Sequence, residues 1–160
     1  MYRVPIRTAV APQCRNLDLI VVPNTPEPAS ILFRNMGTSP PTFTKLPITT
    51  IVPGNRAAWA DVDGDGDLDL LICTGSSTSN MLYRNLGGNL GFEEWTASAI
   101  NSETSHYATN HAIFADYDGD GDVDLFMATD VQNVLWRNVG GAGLFERVTG
   151  WPFTEGPTTN

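Results

Sequence analysis

The sequence has little of what several function classes need. It contains only two cysteines and two histidines in 160 residues, so both a disulfide framework and a zinc site rich in His or Cys are poorly supplied. No apolar run is long enough to cross a bilayer, and Met1 to Ala11 lack the apolar core of a secretory leader. Helical periodicity of useful length is also missing, which predicts an all-β fold.

Basic charge is scarce as well. The chain has nine Lys and Arg against eighteen Asp and Glu, which gives a formal net charge of −9. The sequence contains no basic stripe suited to nucleic acid. Ten of the acidic residues lie in two short loops, so the other eight nearly balance the nine basic ones. The acidity is therefore local. It indicates two sites rather than a broad surface for a basic partner.

What the sequence does have is one nine-residue acidic loop, twice. Residues 61–69 read DVDGDGDLD and residues 116–124 read DYDGDGDVD. Two carboxylates about 4 Å apart repel by roughly 4 kcal/mol at an effective dielectric near 20, and each loop holds several close pairs. The glycines allow the tight curl, because glycine reaches positive φ without a Cβ clash. Such a loop requires a cation.

Calcium is the predicted ion at both loops, because it accepts six to eight oxygen ligands in flexible geometry. Magnesium prefers a tighter octahedron with retained water, and zinc prefers His or Cys. We expect side-chain ligands from the first, third, fifth and ninth loop positions and a backbone carbonyl from the seventh. The candidate ligands are Asp61, Asp63, Asp65, Asp67 and Asp69 in one loop and Asp116, Asp118, Asp120, Asp122 and Asp124 in the other.

An EF-hand is the main rival interpretation of these loops. Its twelfth position requires a bidentate Glu, whereas Ile72 and Met127 stand there. The residues that follow, Asp69 to Thr74 and Asp124 to Thr129, form short apolar runs ending in turn residues. These runs predict buried strands rather than helices, so each loop should join two strands.

The loops belong to a longer repeat of about fifty residues. After each loop comes a strand with a Leu-aromatic-Arg-Asn signature, at Leu82–Asn85 and Leu135–Asn138, and then a strand led by Phe. Each copy predicts four short antiparallel strands, the pattern of a β-propeller blade. We predict one domain over 1–160, with blade 1 at about 3–50, blade 2 at about 54–100, blade 3 at about 110–150 and a tail at 151–160.

Blade 1 is a degenerate copy. Aligning Asp18 with Asp69 places Val10, Pro12 and Cys14 where the other copies have loop aspartates. This blade is expected to keep its sheet and bind no metal. Arg34, Arg84 and Arg137 occupy one repeat position, each followed by Asn. We predict structural roles for both residues: the Asn satisfies a turn, and the Arg bridges strands or blades.

The pattern D-x-D-G-D-G-D-x-D-L, followed by L-aromatic-R-N-x-G-G and G-x-F, resembles the FG-GAP/VCBS repeats. These repeats are similar to the calcium-bearing blades of integrin α-subunit propellers. The resemblance implies a propeller with calcium loops between the first and second strands of a blade. A propeller ring normally needs four to eight blades, and three leave sheet edges exposed. We therefore expect either a piece of a larger propeller or completion by a second copy or another protein.

The predicted function is a non-catalytic scaffold for protein–protein interaction or adhesion. Calcium sites of this kind suit an extracellular setting or a secretory or organelle lumen. The alternatives are a carbohydrate-binding or accessory module of a polysaccharide-active protein, and a structural subunit of a large complex. Partner contacts are predicted at Tyr107, His106 and Trp151. Catalysis is not expected, because the loop carboxylates are equivalent and share one ion.

Overall fold

The computed structural model describes residues 2–5, 17–22, 30–46, 51–75, 78–87, 91–103, 107–152 and 154. The regular elements in these ranges are β-strands, which confirms the all-β prediction. They are β1 Tyr2–Pro5, β2 Leu17–Val21, β3 Ile31–Asn35, β4 Phe43–Lys45, β5 Arg56–Ala60, β6 Asp69–Cys73, β7 Met81–Asn85, β8 Phe92–Glu94, β9 Thr109–Ala115, β10 Asp124–Thr129, β11 Val134–Asn138 and β12 Phe145–Val148. Within the same ranges, no helix could span a membrane.

The strands form three four-stranded antiparallel sheets, each made of consecutive strands. Blade 1 contains β1–β4, blade 2 contains β5–β8 and blade 3 contains β9–β12. The register repeats as well: Leu71 pairs with Ala58 and Leu82 in blade 2, and Phe126 pairs with Ile113 and Leu135 in blade 3. Up-and-down sheets of this kind are propeller-type blades. The described strands do not close into a ring.

Blade 2 lies between the other two blades, and both of its faces are covered. Leu70 and Ile72 pack with β2 and β3 of blade 1, whereas Leu71 and Cys73 pack with β10 and β11 of blade 3. Successive residues of a strand point to opposite faces, so all five residues of β6 are buried. This explains the unbroken apolar run that follows the 61–69 loop. Full burial of a Leu or Ile side chain of this run stabilises the fold by about 1.5–3 kcal/mol.

Cys73 lies in the apolar contact between blades 2 and 3, which we call the joint between these blades. Its burial shows that water is excluded there. Its side chain is 0 % exposed, and burial raises the pKa of its thiol to about 12. A thiol that stays protonated at neutral pH is a poor nucleophile and a poor metal ligand. Cys73 therefore serves as a small core residue.

Candidate metal centre

Both acidic loops lie where the sequence places them, between the first and second strands of a blade. The 61–69 loop connects β5 to β6, and the 116–124 loop connects β9 to β10. Gly64 and Gly66 have φ angles of 73° and 91°, and Gly119 and Gly121 have 79° and 97°. These values lie in the left-handed region that side chains disfavour. The repeated glycines are therefore required by the backbone of each loop.

The first three aspartates of each loop converge. Asp61, Asp63 and Asp65 each offer a carboxylate oxygen within 4.8 Å of the others, and Asp116, Asp118 and Asp120 do the same. Backbone N–H groups fix their orientation: Gly66 donates to Asp61 Oδ2 at 3.0 Å, and Gly121 donates to Asp116 Oδ2 at 3.1 Å. The result is two clusters of hard oxygen donors, the ligand type that calcium prefers.

One oxygen of the 61–69 cluster lacks a partner. Asp61 Oδ1 is buried and has no hydrogen-bond partner within the described residues, whereas Asp63 Oδ2 lies 2.6 Å from Arg84 Nη2. Buried polar atoms are nearly always satisfied in folded proteins. An unsatisfied carboxylate oxygen beside two converging carboxylates fits a bound cation.

The seventh-position aspartates are not among the three converging carboxylates of either cluster. A Cβ built on Gly87 would lie 2.7 Å from Asp67 Oδ2, and one built on Gly141 would lie 2.6 Å from Asp122 Oδ1. These carboxylates rest against the turn after the Arg-Asn strand. The prediction that this position offers its backbone carbonyl to an ion stays a prediction. Burial, followed by the charges of Asp65, Asp61 and Asp63, raises the pKa of Asp67.

The ninth-position aspartates have a structural role that the sequence analysis missed. Asp69 Oδ1 accepts a hydrogen bond from Asn85 N–H at 2.8 Å, and Asp69 Oδ2 accepts one from Val62 N–H at 2.9 Å. Asp124 makes the equivalent bonds with Asn138 and Tyr117. Each of these aspartates ties its loop to the third strand of the blade. Whether it also contacts the ion stays a prediction, since a carboxylate oxygen can accept more than one partner.

The sequence of blade 1 contained evidence for the structural role of the ninth-position aspartate. Asp18 accepts a hydrogen bond from Asn35 N–H at 2.7 Å, as Asp69 does from Asn85. Blade 1 keeps this aspartate although the aligned loop positions hold Val10, Pro12 and Cys14, which lie outside the described residues. An aspartate retained without the metal loop indicates a role in the fold.

Burial dominates the electrostatics of these aspartates. It raises the pKa of Asp69 to about 7, against the opposing effect of the two backbone hydrogen bonds. It also raises the pKa of Asp124 and of Asp18. A carboxylate that is costly to ionise in the fold gains most from a nearby positive charge.

The Arg-Asn positions behave largely as predicted. Asn35 and Asn85 accept hydrogen bonds through Oδ1 from the glycine two residues later, at 3.0 and 3.1 Å, and so close a turn. Arg137 bridges β11 and β12 through Glu146 at 3.1 Å. Asn138 does more than predicted, because its Nδ2 donates across the joint to Val62 O of blade 2 at 2.9 Å.

Arg84 is the residue whose position was not foreseen. Its Nη2 lies 2.6 Å from Asp63 Oδ2 and 4.0 Å from Asp65 Oδ2, inside the 61–69 loop of its own blade. Its guanidinium also lies over Trp95, 5.6 Å from the ring centroid. The repeat signature predicted a strand bridge, and nothing in the local sequence distinguishes Arg84 from Arg137.

The two predicted partner-contact residues that the structure describes, Tyr107 and Trp151, have different surroundings. Tyr107 is half-buried and lines a cavity of about 10 Å³ with Asn80, Glu103 and Met127, which is roughly the space for one water and far too small for a sugar ring. Trp151 is 45 % exposed, and its ring meets Tyr117 edge-on at a centroid distance of 6.4 Å. His106 lies outside the described residues.

Comparison with known protein families gives a match over the part of the chain that contains both acidic loops. Residues 61–127 match the family model for the FG-GAP-like repeat. This part of the chain is similar to the FG-GAP-like repeat. The match begins at the first acidic loop and ends inside β10, so it contains both loops. No curated protein and no solved structure matched the chain. The similarity to the FG-GAP-like repeat and the three four-stranded sheets are consistent with a β-propeller-type repeat module.

Proposed function

We propose that this β-propeller-type module binds two calcium ions and serves as a non-catalytic scaffold for protein–protein interaction or adhesion. The observation that carries the calcium proposal is the pair of three-carboxylate clusters, with a buried and unpartnered oxygen, Asp61 Oδ1, in one of them. Asp61, Asp63 and Asp65 would hold one ion and Asp116, Asp118 and Asp120 the other. Waters and the carbonyl at the seventh loop position would complete each shell.

Calcium would act by stabilising the folded loops. An ion that binds only the native state adds about 2.7 kcal/mol per site at a hundred times its Kd. The 61–69 loop transmits this gain to the joint between blades 2 and 3, because Val62 is 1 % exposed and accepts the hydrogen bond from Asn138. An extracellular or lumenal setting would supply enough calcium for such sites.

A protein partner is proposed for the outward face of blade 3. Ala58, on the face of blade 2 that blade 3 covers, packs into the joint. Ile113 holds the same register position in blade 3 and is 56 % exposed. A partner protein or a second copy that covered this face would bury apolar surface as the internal joints do.

Isothermal titration calorimetry on the full chain tests the calcium proposal. We expect two bound calcium ions per chain, and one in either Asp65→Ala or Asp120→Ala. Magnesium at the same concentration should bind much more weakly, because it needs a tighter octahedron. The absence of calcium binding in the folded wild-type chain would refute the proposal.

Carbohydrate binding is a second candidate, favoured by the exposed aromatic pair beside the 116–124 loop. Tyr117 is 40 % exposed and Trp151 45 %, and aromatic faces of this kind stack on sugars. Glycan binding that is lost on Trp151→Ala but kept on Trp95→Phe would support it. Sedimentation of the free chain addresses the third possibility, a subunit of a large complex, since a stable discrete monomer or dimer would count against it.

A further inference from the structure

A single arginine makes the two acidic loops different. Arg84 Nη2 contacts Asp63 Oδ2 at 2.6 Å and approaches Asp65 Oδ2 at 4.0 Å. Both carboxylates belong to the cluster proposed to hold calcium. The Asp63 side chain is 8 % exposed, so it is nearly removed from water. The guanidinium is therefore the positive charge that compensates the buried carboxylate.

Trp95 holds Arg84 in this position. The guanidinium carbon lies 5.6 Å from the centroid of the Trp95 ring, a distance at which the ring face attracts a cation. Trp95 is itself fixed by blade 3, because its ring rests on Gly143, where an added Cβ would collide with it. The arginine is thus aimed at the loop by a side chain that belongs to the joint between blades 2 and 3.

Arg137, at the repeat position of Arg84 in blade 3, makes a different ion pair. Arg84 pairs in register with Glu93, and Arg137 pairs in register with Glu146. Arg137 bonds to this cross-strand neighbour at 3.1 Å, while Asp116, Asp118 and Asp120 are exposed. Val148 stands where blade 2 has Trp95, and an aliphatic side chain offers no aromatic face to hold the arginine.

We propose that Arg84 is an internal cation that occupies the 61–69 loop when calcium is absent and competes with the ion for Asp63 and Asp65. This inference rests on the calcium binding proposed above. A divalent ion and a guanidinium repel one another at such distances, so calcium must displace Arg84. Glu93 offers the displaced side chain the cross-strand pairing that Arg137 already has. The 116–124 loop consequently fills at lower calcium than the 61–69 loop.

The test uses ¹⁵N-labelled full-length chain, in which two glycine amides report the loops separately. Gly66 N–H donates to Asp61 and Gly121 N–H donates to Asp116, so each amide senses its own ion. In a titration with calcium chloride, we expect the Gly121 signal to reach its midpoint at about tenfold lower calcium than Gly66. Arg84→Gln should move the Gly66 midpoint to about tenfold lower calcium and leave Gly121 unchanged.

Two further variants control this experiment. Arg137→Gln, the matched change in blade 3, should leave both midpoints within about twofold of wild type. Arg84→Lys keeps the charge and should keep the weaker Gly66 midpoint, which separates competition by charge from a loss of packing. Thermal unfolding in chelator should show Arg84→Gln less stable than wild type, because the variant loses the internal cation.

Three results would overturn the inference. Equal midpoints in the wild-type chain would mean that the loops do not differ. Weaker calcium binding at Gly66 in Arg84→Gln would mean that the arginine supports the ligands instead of competing with the ion. If neither amide responds to calcium, the proposed calcium binding is itself wrong, and the competition falls with it.

Discussion

The two acidic loops have nearly the same sequence and different surroundings. In the 61–69 loop the second residue, Val62, is 1 % exposed and lies under blade 3, whereas its counterpart Tyr117 is 40 % exposed and meets Trp151. Asp61 is half-buried and the side chain of Asp63 is 8 % exposed, whereas Asp116 and Asp118 are exposed. Equivalent residues of a repeat thus acquire different electrostatics from their place in the array. The loop at the joint holds an arginine, and the loop at the outer face is open to solvent.

The ninth-position aspartates should give the largest effect, and one that does not depend on calcium. Asp69→Ala leaves the Val62 and Asn85 N–H groups without their partner, and each buried unsatisfied donor costs about 1–3 kcal/mol. We expect Asp69→Ala to lower the free energy of unfolding by about 2–5 kcal/mol in chelator as well as in calcium. Urea denaturation of Asp69→Ala and Asp124→Ala in both conditions measures it. A loss seen only with calcium would assign Asp69 to the ion alone.

The fifth-position aspartates should give a smaller effect that appears only with calcium. At a hundred times Kd, Asp65→Ala or Asp120→Ala removes about 2.7 kcal/mol of linked stability, a fall in Tm of roughly 5–10 °C for a chain of this size. Thermal unfolding with and without chelator measures the difference. Equal losses in the two conditions would mean that these carboxylates act without a metal.

Substitutions at the second loop position test how much the burial of Val62 contributes to stability compared with the exposed Tyr117. Val62→Ala removes two methyl groups from the joint between blades 2 and 3 and should cost about 1–2 kcal/mol. Tyr117→Ala removes a larger side chain from the surface and should cost less, about 0.5 kcal/mol. The midpoints of urea unfolding provide the comparison. A larger loss for Tyr117→Ala would show that Trp151 and Tyr117 form a structural cap on blade 3.

The pH dependence should differ between the calcium-free and the calcium-bound chain. The pKa of Asp69 is about 7 in the fold against 3.8 for the free side chain, so the native state binds its proton more tightly than the unfolded state. Without calcium, stability should therefore rise as pH falls from about 7 to about 4. The gain that calcium adds should shrink over the same range, because protons compete with the ion for the loop carboxylates.

Thermal unfolding across this pH range, with and without chelator, checks the sign. Asp69→Asn cannot titrate and should lose most of the dependence seen in chelator. If the chelated wild-type chain instead becomes less stable on mild acidification, the buried Asp69 carboxylate is not the group that dominates.

The sequence was sufficient for features set by local pattern. Strand positions, the three blades and the loops between first and second strands follow from apolar runs and glycine placement. The structural role of Asp69 could have been inferred from Asp18, which persists where the other loop aspartates are replaced. The contact between Arg84 and Asp63 could not, because it depends on Trp95, which blade 3 holds in place. Contacts that depend on a neighbouring blade cannot be predicted from the sequence of a single repeat.

The central claim is that calcium stabilises this module, and thermal unfolding of the purified chain with excess calcium and with excess chelator tests it most directly. Two sites at a hundred times Kd add about 5 kcal/mol, so we predict a rise in Tm of at least about 10 °C in calcium. Identical Tm values in calcium and in chelator would contradict the account.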